Sequence, residues 1–145
     1  MDVNFKINKI LYNMKYVGDL YYKLSSKAAE ECNLTKPEAD ILIFIKNNPE
    51  YNTATDIVKL RGFSKAYVSK AVEPLLEKQL IKIEVDKDDR RCQHLSLTEK
   101  AEPLVDILLK MQNNFIDIIT EGIAKEDIRT YIEVMDKISV NSKKS

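Results

Sequence analysis

Apolar residues recur at steps of three and four from residue 4 to about residue 31. Ile7, Leu11, Met14, Val17, Tyr21, Leu24 and Ala28 form one stripe, which predicts a long helix. Thr35-Lys36-Pro37-Glu38 then reads as a helix start. Thr35 can cap, Glu38 can complete a capping box, and Pro37 lies in the first turn, where its missing N–H costs little. That helix carries Ala39, Leu42, Ile43 and Ile45 to a stop at Asn47-Asn48-Pro49. Thr53 opens a short helix with Ile57, Val58 and Leu60 as its apolar face, and Gly62 ends it. Ser64 caps the next one, with Val68, Val72, Leu75 and Leu76 on one face. Two short helices joined by a glycine-containing turn make a helix-turn-helix.

The period then changes from helical to alternating. Ile81-Lys82-Ile83-Glu84-Val85 and Gln93-His94-Leu95-Ser96-Leu97 each read as a half-buried strand. Between them, Asp86 to Arg91 holds six charged residues, so the strands pair as a hairpin with a charged tip. Thr98 is placed to cap a long helix carrying Leu104, Ile107, Leu108, Met111, Phe115, Ile118 and Ile119, and Gly122 breaks it. A last helix holds Ile128, Tyr131, Ile132, Met135 and Ile138, and a polar tail, Asn141–Ser145, is expected to fray. The fold class is mainly α with a small β-hairpin. Helix, helix, hairpin and helix in this order form a winged helix-turn-helix, flanked by N- and C-terminal helices.

Composition narrows the function. Lys+Arg and Asp+Glu are 23 each among 145 residues, so no global basic excess attracts nucleic acid. The charge is segregated instead. Residues 59–91 hold nine basic and six acidic side chains, a balance of +3, while residues 99–137 hold five and nine, a balance of −4. Lys59, Arg61, Lys65 and Lys70 follow one another with no acid between them. Phosphate binding is therefore favoured at the centre of the chain. Two cysteines, Cys32 and Cys92, make no disulfide framework, and no apolar segment resembles a secretion signal or a membrane span. A cytoplasmic protein without membrane contact is expected. No Gly-rich phosphate loop or nucleophile elbow occurs, and His94 is the only histidine. Neither enzyme activity, nor a cofactor, nor a metal site is expected.

The segment Leu76-Glu77-Lys78-Gln79-Leu80-Ile81, the tip DKDDRR and the run LSLTEKA resemble the MarR family of bacterial transcription regulators. The family pattern is a Leu-Glu-Lys-x-Gly-Leu-Ile turn, a wing with Asp-x-Arg, and Leu-Thr-x-x-Gly after the second strand. Asp89 and Arg91 stand at the Asp-x-Arg positions, and Leu97-Thr98 at Leu-Thr. Gln79 and Ala101 replace the two glycines, and Pro74 lies inside the recognition helix. Either that helix bends at Pro74, or its first part, Ser64 to about Glu73, is the part that reads DNA.

The resemblance implies a homodimer acting on double-stranded DNA at a pseudo-palindromic site, as a ligand-responsive repressor. It places a DNA-binding lobe at 34–98 and dimerisation helices at 1–33 and 99–140. The terminal helices carry more apolar residues than a small winged domain covers, which points the same way; the alternative is that they close a monomeric core. Candidate DNA contacts are Thr53, Arg61, Ser64, Lys65, Tyr67, Ser69 and Lys70 from the helices and Arg90 and Arg91 from the wing. One wing arginine can enter a narrow minor groove, and the resemblance has Asp89 brace an arginine. Which arginine inserts and which is braced stays open; an ordinary surface ion pair is the bland reading.

Tyr12 and Tyr16 are candidates for the wall of a pocket taking a small aromatic effector, or for packing across a dimer interface. Cys92 beside the wing allows a redox switch. The rival readings are therefore a winged-helix module that binds protein and not DNA, and a cysteine-based redox-sensing regulator.

Overall fold

The computed structural model describes residues 6–145. The first two positions of the expected N-terminal helix, residues 4 and 5, lie outside that range. Six helices and one hairpin follow in the order α1 (Ile7–Glu31), α2 (Lys36–Asn47), α3 (Ala54–Arg61), α4 (Lys65–Glu77), β1 (Ile81–Val85), β2 (Gln93–Leu97), α5 (Glu102–Thr120) and α6 (Lys125–Lys143).

Helix α2 is the hub. Ile41, Leu42, Ile43, Phe44 and Ile45 are all buried, so this helix is covered on every side, by α4, α1, α5 and β2. Its entry is fixed by the expected capping box. The Thr35 hydroxyl accepts from the Glu38 N–H (3.3 Å), and the Glu38 carboxylate accepts from the Thr35 N–H (3.4 Å). The second oxygen of buried Glu38 receives the Lys78 ammonium, which ties the start of α2 to the end of α4. A second capping box, Thr53 with Asp56, starts α3, and Ser64 accepts the Tyr67 N–H to start α4.

Helix α4 continues through Pro74 to Glu77. The proline removes only the hydrogen bond that the carbonyl of exposed Lys70 would have accepted, and water can serve that carbonyl. The helix closes in a Schellman turn: the Leu80 N–H reaches the Leu75 carbonyl and the Gln79 N–H the Leu76 carbonyl, both at 3.0 Å. Gln79 sits there at φ +60°, the left-handed region where a Cβ is strained. Gln79→Gly should therefore stabilise the fold by about 1 kcal/mol. Urea unfolding at fixed protein concentration measures it, and an unchanged midpoint would contradict the strain. Ala101, at the other glycine position of the family pattern, has φ −76° and is fully buried, so nothing there requires glycine.

The hairpin is antiparallel, with Ile81 opposite Leu97, Ile83 opposite Leu95 and Val85 opposite Gln93. Ile81 and Leu95 face the core. The N–H of Leu95 also bonds the Asn52 carbonyl (2.8 Å), pinning the wing to the segment that precedes α3.

Two expectations are corrected. Thr98 does not cap the long helix: its hydroxyl donates to the Gln79 carbonyl (2.6 Å) and its N–H to the Leu80 carbonyl (3.1 Å), so it serves the turn at the root of the hairpin. A short 3-10 turn, Glu99–Ala101, then leads into α5. The polar C-terminus does not leave the helix at Asn141 either; α6 runs to Lys143, with the Ser142 hydroxyl on the Ile138 carbonyl.

The terminal helices keep much apolar surface uncovered. Helix α6 buries none of its residues. Ile7, Leu11, Met14 and Val17 of α1, Ile116, Ile118 and Ile119 of α5, and Tyr131, Ile132 and Ile138 of α6 are exposed. No helix among the described residues is long and apolar enough to cross a membrane.

Candidate nucleic-acid interface

Helix α4 has two faces, set by its sequence. Val68, Ala71 and Leu75 turn into the core. Lys65, Ala66, Ser69, Lys70 and Glu73 are exposed, at spacings of one, three and four that define the opposite face. Lys65, Ser69 and Lys70 thus stand where the sequence pattern puts them. Ala66 is a member that sequence reasoning missed, although the helical spacing from Lys65 and Lys70 could have found it.

Tyr67 stands apart from these side chains. Its hydroxyl donates to Asp40 Oδ2 at 2.6 Å, and its ring packs on Phe63 with centroids 4.6 Å apart. The phenol points back toward α2 and away from the outward face. Asp40 is buried and also receives the Lys36 ammonium at 2.8 Å. Burial, the hydrogen bond to Asp40 and that carboxylate's charge push the Tyr67 hydroxyl well above the usual phenol range. The Lys36–Asp40–Tyr67 bridge fixes the roll of α4 on α2, and so decides which side chains of α4 face out.

Tyr67→Phe should cost about 1–3 kcal/mol by depriving a buried carboxylate of one of its two partners. The raised phenol also has a signature in pH. Its contribution is full below the ordinary tyrosine value of 10.0 and fades as the pH rises beyond it toward the folded value. Chemical unfolding from pH 8 to 11 should show an alkaline loss in the parent that is smaller in Tyr67→Phe; equal losses in both would contradict the bridge.

Ser64 and Thr53 are caps, and their side-chain oxygens already accept N–H groups of their own helices. Arg61 does not join the α4 face. Its guanidinium lies over the Phe63 ring at 4.6 Å and near the Tyr21 ring at 6.0 Å. It lines a cleft of about 430 Å³ with Tyr21, Asp40, Phe44 and Gln112, where α1, α2, α3 and α5 meet. Tyr12 and Tyr16 lie with ring centroids 4.5 Å apart and are exposed; the tyrosines that line this cleft are Tyr21 and Tyr51.

The wing tip exposes Lys87, Arg90 and Arg91, and neither arginine is in an ion pair among the described residues. Asp89 braces the loop through its backbone: its carboxylate accepts the Arg91 N–H at 3.0 Å, not a guanidinium. Asp86 Oδ1 accepts the N–H groups of Asp88 (2.8 Å) and Asp89 (3.4 Å), and its Oδ2 lies 3.0 Å from His94 Nε2. The contact with His94, followed by those two N–H groups, holds the Asp86 carboxyl below its ordinary range. Two of the four wing acids are therefore engaged inside the loop. Glu84 and Asp88 remain to oppose a polyanion, against Lys82, Lys87, Arg90 and Arg91.

Cys92 lies beside this cluster, with Sγ 3.7 Å from His94 Nε2. Burial and then the charges of Asp86, Asp89 and Asp56 push its thiol up. Cys32 is buried and is pushed up by burial and Glu31. A lone histidine argues against a metal in the sequence; the hairpin brings two other donor types, Asp86 and Cys92, to His94.

A family model described as the MarR family matches residues 33–91. Solved structures extend the likeness to nearly the whole chain. A MarR-family transcriptional regulator from Listeria monocytogenes, complexed with a 26mer DNA, superposes with a TM-score of 0.80 at 19% identity, covering 90% of this chain and 87% of that one. A MarR protein from Peptoclostridium difficile gives 0.79 at 20% identity, covering 99% and 94%. A MarR-family regulator from Silicibacter pomeroyi gives 0.80 at 17%, covering 91% and 88%. The family's pattern through the helix-turn-helix and wing, together with a fold shared with these structures, makes this chain similar to MarR-family proteins and gives it their winged helix-turn-helix fold.

Proposed function

We propose that this protein binds double-stranded DNA as a homodimer at a pseudo-palindromic site and acts as a ligand-responsive repressor. The observation that carries the reading is the outward face of α4, with Lys65, Ser69 and Lys70 free of internal duties, next in the chain to a wing whose Arg90 and Arg91 are unpaired among the described residues. In this reading residues 34–98 form the DNA-binding lobe, and 1–33 and 99–140 the dimerisation helices. Two α4 helices, one from each protomer, enter successive major grooves about one helical turn apart. Lys65 and Lys70 reach phosphates or guanine edges, and Ser69 either. A wing arginine enters the neighbouring minor groove. The DNA complex of the Listeria monocytogenes relative supports this use of the fold.

The cleft beside Tyr21 and Arg61 is the effector site of this reading. It lies where the helix-turn-helix meets α1 and α5, so a ligand there can favour one spacing of the two recognition helices over another. Tyr21, Phe44 and Arg61 suit a planar aromatic acid.

Selection of bound sites from random DNA, followed by fluorescence anisotropy in rising salt, tests the proposal. The expected result is an enriched inverted repeat and an affinity that falls steeply and log-linearly with salt. No enrichment, and no binding at low salt, would favour the protein-binding module instead.

The redox alternative is weakened by the raised Cys92 thiol, since the thiolate is the species that peroxide attacks. Peroxide should therefore leave DNA affinity within about twofold in the metal-free protein, and Cys92→Ser should respond like the parent. A peroxide-induced release that Cys92→Ser abolishes would restore the redox sensor.

A further inference from the structure

We propose that the root of the wing binds a zinc-like divalent cation, with Asp86 Oδ2, Cys92 Sγ and His94 Nε2 as protein ligands and a fourth position left to water or another donor. Hairpin topology assembles the three. Cys92 and His94 are two residues apart and project to the same side. The Asp86 N–H bonds the Cys92 carbonyl (2.9 Å), which continues the ladder and sets Asp86 against the other arm.

The spacing suits one small ion. His94 Nε2 is 3.0 Å from Asp86 Oδ2 and 3.7 Å from Cys92 Sγ, and all three donor atoms lie within 4.8 Å of one another. A tetrahedral ion with bonds of about 2.0–2.3 Å holds its ligands roughly 3.3–3.8 Å apart, so shifts of about 1 Å or less complete the site.

The surrounding groups aim the donors. Asn52 Oδ1 lies 2.6 Å from His94 Nδ1, and an amide oxygen can only accept. Nδ1 therefore carries a hydrogen, which turns Nε2 toward Asp86. Nε2 and Asp86 Oδ2 face each other at 3.0 Å, a spacing that a proton bridges in the free chain and a cation could bridge in its place. This is the arrangement in which a ligating histidine is held by its other ring nitrogen. Asp86 is held equally: its Oδ1 is engaged by the N–H groups of Asp88 and Asp89, which leaves Oδ2 to the site. The side chains of His94 and Asp86 are 35% and 33% exposed, so an ion can enter from solvent. A thiolate, an imidazole and a carboxylate favour zinc over magnesium or calcium, which take oxygen ligands. An ion here would clamp both arms of the hairpin and, through Asn52, the segment leading into α3.

The test uses the full chain freed of metal by chelation, without DNA, so that it stands or falls separately from DNA binding. Cobalt(II) is the probe and zinc the competitor. One cobalt per chain is expected, with visible ligand-field bands of four-coordinate strength and a near-ultraviolet thiolate-to-cobalt band that zinc displaces. Cys92→Ser should remove the thiolate band while Cys32→Ser keeps it, and His94→Ala should abolish binding. Asn52→Ala should weaken zinc about 10–100-fold. Circular dichroism checks each variant's fold; should His94→Ala not fold, the band in Cys32→Ser still decides which thiol binds. The site is refuted if cobalt gives no thiolate band, or if Cys92→Ser leaves the spectrum unchanged.

Discussion

Ile132→Asp should convert the protein to a monomer at micromolar concentration and abolish measurable operator binding, while leaving the helix-turn-helix folded. Ile132 is 53% exposed in the single chain, on a helix that buries none of its own residues. Its neighbours Tyr131 and Ile138, with Ile116 on α5, are similarly uncovered. So many exposed apolar side chains on two helices are unusual for a monomer and fit an interface between copies. In a two-fold dimer the substitution occurs twice in one interface. Each unpaired carboxylate forced into an apolar contact costs several kcal/mol, so the dimer's dissociation constant should rise by at least about 10³-fold. Sedimentation velocity reads the mass, and circular dichroism checks the fold. A dimer that survives would mean that α6 packs elsewhere, and would remove the basis for pairing two recognition helices.

How much of this was legible in the sequence divides by the range of the interaction. The stripe from Ile7 to Ala28, the Thr35–Glu38 box and the alternation of Ile81, Ile83 and Val85 are local patterns, and each corresponds to an element of the fold. Outward Lys65, Ser69 and Lys70 follow from the helical period once Val68, Leu75 and Leu76 are taken as the inner face. Tyr67 does not follow, because its partner Asp40 is 27 residues away on another helix. A tyrosine has an apolar body and a polar tip, so its side of the helix depends on whether the tip finds a buried partner. Thr98 escapes for a similar reason. As a cap it has a local use, but the carbonyls of Gln79 and Leu80, 19 and 18 positions back, compete for it and hold it. The contact of His94 with Asn52 spans 42 residues and leaves no trace in composition or spacing.

The same long-range contacts explain how a chain of zero net charge can present a cationic surface. Asp40, Glu38, Asp86 and Asp89 all lie near the helix-turn-helix or wing. Each is engaged by an N–H, an ammonium, a hydroxyl or an imidazole within the fold. Lys36 and Lys78 are consumed in the same way. What remains free of ion pairs among the described residues is Lys59, Lys65 and Lys70 on the helices and Lys82, Lys87, Arg90 and Arg91 on the wing. The local surplus read from the sequence thus changes character: it depends on which charges the fold has already used.

Arg90→Ala with Arg91→Ala should weaken operator binding and, more diagnostically, flatten its dependence on salt. Each phosphate that the protein no longer neutralises takes about 0.9 from the slope of log affinity against log salt. A dimer gives up four guanidinium groups in the double variant. If one arginine per wing lies at the backbone the slope should become shallower by about 2, and if both do, by about 4. An arginine that instead sits in the minor groove reads its width, so its removal should fall hardest on sites with narrow A·T-rich flanks. The single variants separate the roles. The one that enters the groove should lose discrimination between A·T-rich and G·C-rich flanks, and the other should lose affinity equally on both. Stability should not change, since neither guanidinium is in an ion pair among the described residues; urea midpoints of the three variants check this. A salt slope identical to the parent's would mean that the wing does not touch DNA, and that the outward face of α4 carries the grip alone.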